Sequence, residues 1–246
     1  MSSPLQSDNK ITEALVLAGG LGSRLSQVVP GRQKVVAPIL GEPFLSRVLS
    51  KLWAEGISRV VLALGYLAED ALSAIEPFVP KGMTIVPSIE SSPLGTGGAI
   101  RHALPLIESN TILVANGDSI IDYSLVDLVS LHQRVHASVT MILCKVPDSS
   151  RYGSVNIDEH SRVLSFKEKL TTENGPGIIN AGVYLMSRDI IKEMSINPHS
   201  LELHSLPNLC SNGLYGLVTE KPFIDIGTPS DYAKADHFFI QTEKNF

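Results

Sequence analysis

An apolar run that leads directly into a glycine-rich turn constrains the fold of this chain more than any other feature. Leu15-Val16-Leu17 is typical of a buried strand, and Gly19, Gly20 and Gly22 follow it closely. Because glycine has no side chain, the backbone N–H groups of such a turn stay open to a polyphosphate. The alternative is a turn that only connects two elements.

Two cations near the turn favour the phosphate interpretation. Arg24 offers a planar guanidinium fork to phosphate oxygens, and Lys34 adds a second positive charge further along the chain. The spacing matches neither G-x-x-x-x-G-K-[ST] nor G-x-G-x-x-G. The sequence therefore predicts a phosphate site of another kind and disfavours an oxidoreductase that binds a dinucleotide.

The composition narrows the class of protein. The formal net charge is −5 and the pI is near 5.8, which argues against a general nucleic-acid surface. Cys144 and Cys210 have no C-x-x-C spacing, so neither a disulfide framework nor a thiolate metal site is expected. Residues 1–10 are polar, and no apolar run is long enough to span a bilayer. We therefore expect a cytoplasmic protein with no membrane or nucleic-acid partner.

Strand-like and helix-like segments alternate along the chain, which indicates an α/β fold. We expect a Rossmann-like, mostly parallel sheet with helices on both faces and a small added β subregion. The predicted strands are 13–18, 58–64, 83–87, 111–115, 138–146 and 178–186. The predicted helices are 43–55, 67–76, 97–108, 124–136 and 229–242, and residues 153–166 are predicted to form a hairpin.

Two isolated acids stand at the ends of predicted strands. Asp118 follows the apolar strand 111–115, and Asp225 lies between Phe223-Ile224 and Ile226. Ligands of an open α/β sheet collect outside the carboxyl ends of its strands. Since Mg²⁺ is held by one or two carboxylates, phosphate oxygens and water, the two acids predict one shared Mg²⁺. The alternative for Asp118 is a capping role at a turn or helix.

Short motifs recur in one order along the whole chain. The segment 17–25 reads L-A-G-G-L-G-S-R-L and the segment 33–39 reads Q-K-V-V-A-P-I. This pattern resembles the sugar-1-phosphate nucleotidyltransferases, although Gln33 and Val35 stand where that family usually has prolines around its lysine. The other matching segments are 92–100, 116–118, 151–153, 166–169, 179–184 and 223–229.

The resemblance implies a reaction and its partners. A sugar 1-phosphate would attack the α-phosphorus of a nucleoside triphosphate, giving an NDP-sugar and pyrophosphate. In this family pattern Arg24 and the glycine amides hold the β- and γ-phosphates and Lys34 holds the attacked phosphate. Mg²⁺ on Asp118 and Asp225 is the implied cofactor. Catalysis would come from positioning and charge neutralisation, because the sugar phosphate is already an anion.

The resemblance also divides the remaining residues between two substrates. Tyr152 either covers the sugar pocket or packs in the core. Gly182 either lets the sugar ring approach closely or is a packing glycine, and the charged residues 167–169 form either a binding cluster or a solvated one. The implied nucleotide-binding residues are Leu17, Ala18, Gly19, Gly20, Gly22, Ser23, Glu90, Gly95 and Thr96. The implied sugar-phosphate-binding residues are Tyr152, Gly153, Glu168, Lys169, Asn180 and Gly182.

Glu90 bears on the choice of base. An ionised carboxylate only accepts hydrogen bonds, and guanine presents two adjacent donors, so Glu90 favours GTP unless it faces water. Within the family the total pattern is most similar to the D-glycero-D-manno-heptose 1-phosphate guanylyltransferases. The alternatives are a uridylyl- or cytidylyltransferase that acts on another sugar 1-phosphate, and a regulatory module that binds a nucleotide sugar without catalysis.

We expect one domain over residues 1–246. Its nucleotide-binding half would be 11–146, its sugar-phosphate-binding half 147–228, and its C-terminal helix would lie within 229–246. The apolar, proline-containing segment 203–207 could serve either in a core or in a homo-oligomer contact.

Overall fold

A seven-stranded sheet forms the centre of the protein. The computed structural model describes residues 10–20, 25, 28–150, 152, 154–167, 175–210 and 212–242. The strands of this sheet are β1 (Glu13–Leu17), β4 (Arg59–Leu64), β5 (Thr84–Ile89), β6 (Thr111–Asn116), β8 (Val139–Val146), β11 (Gly177–Ser187) and β12 (Leu214–Thr219). Their spatial order is β12-β8-β11-β6-β1-β4-β5.

Only β11 runs against the other strands of this sheet. It pairs antiparallel with β8 on one side and with β6 on the other, while the remaining neighbours pair in parallel. The carboxyl ends of the six parallel strands and the amino end of β11 therefore meet at one edge. The central strands are buried on both faces, which is why β4 and β6 are continuous apolar runs.

Helices cover both faces of the sheet. The helices are α1 (Phe44–Ala54), α2 (Ala68–Ile75), α3 (Gly95–Ala103), α4 (Leu125–Arg134), α5 (Arg188–Glu193), α6 (Leu206–Leu209) and α7 (Pro229–Thr242). On one face of the sheet, Ala14 and Val16 of β1 belong to the same buried cluster as residues of α1, α2, α4 and α7. On the other face, Leu15 belongs to a cluster with residues of α3, α5 and α6. Residues 34–36, 76–78 and 104–106 form 3₁₀ turns, and Leu201–Ser205 is a π-helical turn.

Three small strand pairs lie outside the central sheet. They are β2 (Pro38–Ile39) with β3 (Glu42–Pro43), β7 (Ser119–Ile121) with β13 (Phe223–Asp225), and β9 (Ser154–Ile157) with β10 (Val163–Lys167). The antiparallel β7–β13 pair matters for function, because it brings the segment after β6 next to a segment from near the end of the chain.

The predicted fold class is confirmed, and most predicted elements lie within two residues of the observed ones. The third predicted helix was wrong at its C-terminal end: α3 ends at Ala103 and not at 108, because Pro105 continues the chain in a 3₁₀ turn. Strands β2, β3, β7 and β12 and helices α5 and α6 were not predicted. The division at residue 146 stays a prediction. Within the described residues, no helix is long and apolar enough to cross a membrane.

Candidate active site

A cavity of about 320 Å³ opens at the carboxyl edge of the sheet. It lies where β1, β5 and β6 end, as expected for a ligand site of an open α/β sheet. Its lining residues are Leu17, Gly19, Gly20, Glu90, Pro93, Gly95, Thr96, Ala99, Asn116 and Asp118. Most of the residues that the sequence assigned to a nucleotide are therefore brought together in one place.

The glycine turn begins where β1 ends. Ala18 is buried and its N–H donates to the Ala63 carbonyl over 2.8 Å, so this amide is already used within the sheet. A Cβ on Gly19 would come within 2.5 Å of Glu90 Oε1, so only glycine lets the Glu90 carboxylate approach this closely. The other predicted residues of the turn, Gly22, Ser23 and Arg24, lie outside the described residues.

Glu90 follows β5 and reaches across the cavity mouth. Its Oε2 accepts a hydrogen bond of 2.7 Å from the Leu94 N–H, while Oε1 faces Gly19. Burial raises the pKa of Glu90, and the Leu94 N–H and the His102 charge act against that rise. One carboxylate oxygen therefore holds the turn before α3, and the other remains at the cavity.

The start of α3 is fixed by a later segment of the chain. Gly95 has a φ of 70°, and a Cβ there would lie 2.5 Å from the His199 carbonyl oxygen. That oxygen accepts from the Gly97 and Gly98 N–H groups at 3.0 and 3.4 Å. Sequence reasoning missed His199, although the glycines at the start of α3 were a signal of a close backbone approach.

Lys34 and Asp118 form an ion pair at the edge of the cavity. Lys34 begins the 3₁₀ turn 34–36, whose Val35 and Val36 side chains are buried and anchor it. Asp118 comes two residues after the end of β6. The two side chains are 13% and 28% exposed, so the pair is partly withdrawn from solvent but still accessible to a ligand.

Asp225 lies beside Asp118 because β13 pairs with β7. In this pair Asp225 stands opposite Ser119, and the Ile226 N–H donates to the Asp118 carbonyl over 3.0 Å. The pKa of Asp225 is raised, mainly by burial and then by the Asp118 charge. Lys34 and the Gly227 N–H lower it again, but do not cancel the rise. Two mutually repelling carboxylates thus share one lysine.

The donor set of this cluster suits a hard divalent cation. Such ions prefer carboxylate oxygens and complete their shells with phosphate oxygens and water. Burial and then the Asp118 charge raise the pKa of Asp225, and a cation between the two carboxylates would offset both effects. Among the described residues, no group of three or more His, Cys, Asp or Glu is placed to hold a metal, so phosphate and water would supply the other ligands.

A bulge in β11 shapes the neighbouring surface. Between Asn180 and Tyr184, four steps along β11 correspond to two along β8. Gly182 lies in the bulge with a φ of 76°, and a Cβ there would come within 2.5 Å of Asn116 Nδ2. Gly182 therefore serves a close approach between β11 and the end of β6. Bulges of this kind are frequent next to active sites.

The other predicted sugar-binding residues are placed only in part. Tyr152 packs its ring edge-on against Phe223, with 5.7 Å between ring centroids, next to the strand that carries Asp225. Gly153, Glu168 and Lys169 lie outside the described residues.

Asn116 was not assigned a role from the sequence, although it begins the N-G-D motif. It is the last residue of β6 and lines the cavity. Its Oδ1 atom is buried and has no hydrogen-bond partner among the described residues. A buried acceptor without a donor is costly, so a ligand donor at this position would be favourable.

The family model for nucleotidyl transferase matches residues 13–242. The chain belongs to the nucleotidyl transferase family. It is therefore an enzyme of the nucleotidyltransferase class, and enzymes of this family generally use a divalent metal ion.

Three relatives cover nearly the whole chain. A D-glycero-alpha-D-manno-heptose 1-phosphate guanylyltransferase of Campylobacter jejuni is 36% identical over 93% of this chain and 99% of its own length. One from Aneurinibacillus thermoaerophilus is 37% identical over 91% and 96%. The crystal structure of HddC from Yersinia pseudotuberculosis complexed with GMP-PN has a TM-score of 0.83 and 35% identity, covering 93% of this chain and all of that one.

Asp225→Asn should change the stability and the activity of the protein in opposite directions. A carboxyl group with a raised native pKa binds its proton more tightly in the folded protein, so its ionisation costs stability as the pH rises above its unfolded pKa. We expect Asp225→Asn to raise the Tm of the metal-free protein at neutral pH, measured in EDTA. Nucleotidyl transfer should fall about tenfold or more, and Asp118→Asn should lower it similarly.

The exposed carboxylate of Asp70 in α2 provides a matched control. Asp70→Asn should leave the rate unchanged and lower Tm slightly, because Asp70 lies in the first turn of α2, where a carboxylate stabilises the helix. A lower Tm for Asp225→Asn, or a wild-type rate in both Asp118→Asn and Asp225→Asn, would contradict the assignment of this pair.

Gln33 shows how the loop of Lys34 is held without the usual proline. Its backbone has φ −65° and ψ 145°, and −65° is the φ that a proline ring imposes. The buried side chain donates from Nε2 to the Tyr66 carbonyl, while its Oε1 has no partner among the described residues. The loop thus adopts a proline-compatible conformation by a side-chain hydrogen bond.

Gln33→Pro tests whether a proline can replace the hydrogen bond from Gln33 to Tyr66, and Gln33→Ala is the control. Both variants lose the bond to Tyr66, but only proline restricts the unfolded chain. Denaturant unfolding should show Gln33→Pro more stable than Gln33→Ala by about 0.4–1 kcal/mol, with transfer activity retained. A proline variant that is less stable than the alanine variant would show that the loop does not tolerate the ring.

Proposed function

We propose that this chain transfers the guanylyl group of GTP to D-glycero-α-D-manno-heptose 1-phosphate, with release of pyrophosphate. The observation that carries the proposal is the cluster of Lys34, Asp118 and Asp225 beside the cavity at the sheet edge. The guanylyltransferases that are 36% and 37% identical over almost their whole length support the choice of both substrates.

The reaction needs positioned charges rather than a protein nucleophile. One phosphate oxygen of the sugar 1-phosphate would form a bond to the α-phosphorus of GTP, while the bond from that phosphorus to pyrophosphate breaks. Lys34 would hold the attacked phosphate, and Arg24 with the amides of Gly19, Gly20, Gly22 and Ser23 would hold the β- and γ-phosphates. The protein then lowers the barrier by in-line alignment and by neutralising developing negative charge.

The proposed cofactor is Mg²⁺, held by Asp118 and Asp225. When bound, the ion would supply positive charge at the triphosphate. The protein's own contribution is to keep two carboxylates adjacent at the cavity edge and to set Lys34 beside them, so that anionic substrate oxygens meet balancing charge. Leu17 and Ala18 would place the turn, and Gly95 and Thr96 would bound the nucleotide side.

The sugar phosphate would occupy the side of the site next to β11. Asn180 and Gly182 lie there, at the bulge of a strand that runs against its neighbours. We include Lys169 as the cation for the sugar phosphate and Glu168 as an acceptor for sugar hydroxyls, with Tyr152 and Gly153 at the rim. These four assignments rest on the family pattern.

Glu90 is proposed as the residue that selects guanine. Glu90 lines the cavity, where its Oε1 lies against Gly19, while its Oε2 accepts from the Leu94 N–H. An ionised carboxylate can accept from the N1–H and the exocyclic amine of guanine, whereas the carbonyl edge of uracil offers it acceptors. We place the reaction in the cytoplasm, where nucleoside triphosphates are made.

A substrate panel tests the proposal directly. Pyrophosphate release is measured with each of the four ribonucleoside triphosphates against heptose, mannose and glucose 1-phosphates, with Mg²⁺ present or chelated. GTP with the manno-heptose phosphate should give the highest kcat/KM, and chelation should abolish turnover. Preferential turnover of UTP or CTP would overturn the base assignment, and binding without turnover in every combination would overturn the proposed reaction.

Glu90→Gln tests the base assignment within the protein. The glutamine carbonyl can still accept from Leu94 N–H, but its amide group presents donors to the donors of guanine. We expect the ratio of kcat/KM for GTP to that for UTP to fall about tenfold or more, because one mispaired hydrogen bond costs ~1–3 kcal/mol. An unchanged ratio would mean that Glu90 holds the loop and does not read the base.

A further inference from the structure

A continuous chain of hydrogen bonds joins the two sides of the proposed site. It starts at Thr96, which lines the nucleotide cavity, and passes through Glu202 and Tyr184 to Asn180. The sequence interpretation gave neither Glu202 nor Tyr184 an individual role, although Tyr184 ends the matching segment 179–184. They connect α3, the π-helical turn 201–205 and β11, which are far apart in the sequence.

Glu202 is the acceptor on which this chain converges. Its Oε2 accepts from the Thr96 hydroxyl over 2.7 Å and from the Ser200 hydroxyl over 3.0 Å. Its Oε1 accepts from the Tyr184 hydroxyl over 3.4 Å. Thr96 Oγ1 also accepts from the Leu201 N–H over 2.8 Å, so the nucleotide side and the π-helical turn are tied by reciprocal bonds.

On the other side, Tyr184 fixes Asn180. Its hydroxyl accepts from Asn180 Nδ2 over 2.6 Å, and Asn180 Oδ1 accepts from the Gly182 N–H over 3.0 Å. In a regular strand, residues four apart are about 13 Å from each other, so this bond exists only because of the bulge at Gly182. Tyr184 is fully buried, which makes an unpartnered hydroxyl costly there.

The direction of every bond in the chain is determined. Since the Glu202 carboxylate only accepts, the Thr96 and Tyr184 hydroxyls both donate to it. The Tyr184 oxygen must then accept from the Asn180 amide, which fixes the orientation of that amide. One N–H of the Asn180 amide is therefore used by Tyr184, and this chain of bonds leaves the other N–H for a different acceptor. A glutamine at 202 could not satisfy all these donors.

We propose that Glu202 is a positioning residue for both substrates. It acts through Thr96 on the nucleotide side and through Tyr184 on Asn180, the side where the sugar phosphate is expected. This inference rests on the proposed function, because it assigns the two sides to GTP and the sugar 1-phosphate. It predicts that loss of the Thr96 bond weakens only the nucleotide side, and that loss of the Tyr184 bonds weakens only the sugar-phosphate side.

Three single variants and one double variant test the two links separately. Tyr184→Phe removes the link to Asn180 and should raise KM for the sugar 1-phosphate about fivefold or more, with KM for GTP within twofold. Thr96→Val removes the link on the other side and should raise KM for GTP with little change for the sugar. Glu202→Gln should raise both, and adding Tyr184→Phe to it should raise KM for the sugar no further.

Tyr123→Phe is the matched control. Tyr123 is also a buried tyrosine, but its hydroxyl has no partner among the described residues. It should change neither KM. Two outcomes overturn the inference: a lower Tm with both KM values unchanged in Glu202→Gln, or equal effects of Tyr184→Phe on the two substrates.

The same experiment separates this inference from the proposed function. If wild-type protein does not turn over GTP with the heptose phosphate, the proposed function fails. Equilibrium binding of GTP and of the sugar phosphate to the four variants then tests the inference, with dissociation constants in place of KM. The inference is supported if Thr96→Val weakens only GTP binding and Tyr184→Phe weakens only sugar-phosphate binding. Equal weakening of both ligands, unchanged binding, or no binding of either ligand to the wild type overturns it.

Discussion

The burial of Asp225 beside a second carboxylate, Asp118, is the constraint on which the site depends. The fold brings these carboxylates together through the β7–β13 pair and withdraws Asp225 from water, so the ionised state of Asp225 costs stability. Lys34 offsets part of that cost. A protein selected only for stability would gain by removing one acid. Under the proposed function, a cation and an anionic substrate that bind together would compensate this cost.

The sheet topology places the other parts around this pair. The antiparallel strand β11 brings its amino end, with the bulge at Gly182, to the edge where the parallel strands finish. The segment around His199 closes over the start of α3, and Glu202 ties that start to β11. Elements that are far apart in the sequence are therefore fixed relative to one another around the site. This suits a reaction in which two substrates must be aligned.

The fold class and the location of the site could be predicted from the sequence, because both depend on local patterns. The continuous apolar runs of β4 and β6 and the turn after β1 predicted a parallel sheet and a site at its edge. By contrast, β7 and β13 have three residues each, too few for a periodic pattern, and the bulge depends on one glycine. The Glu202 network joins residues about a hundred positions apart. No local pattern reports such contacts, because tertiary packing creates them.

Anomalous scattering from a crystal of the protein with Mn²⁺ and a non-hydrolysable GTP analogue tests most directly whether Asp118 and Asp225 bind one metal ion. We expect a manganese peak that contacts carboxylate oxygens of both residues and a phosphate oxygen of the nucleotide. A manganese ion held elsewhere, or one that contacts neither carboxylate, would contradict it.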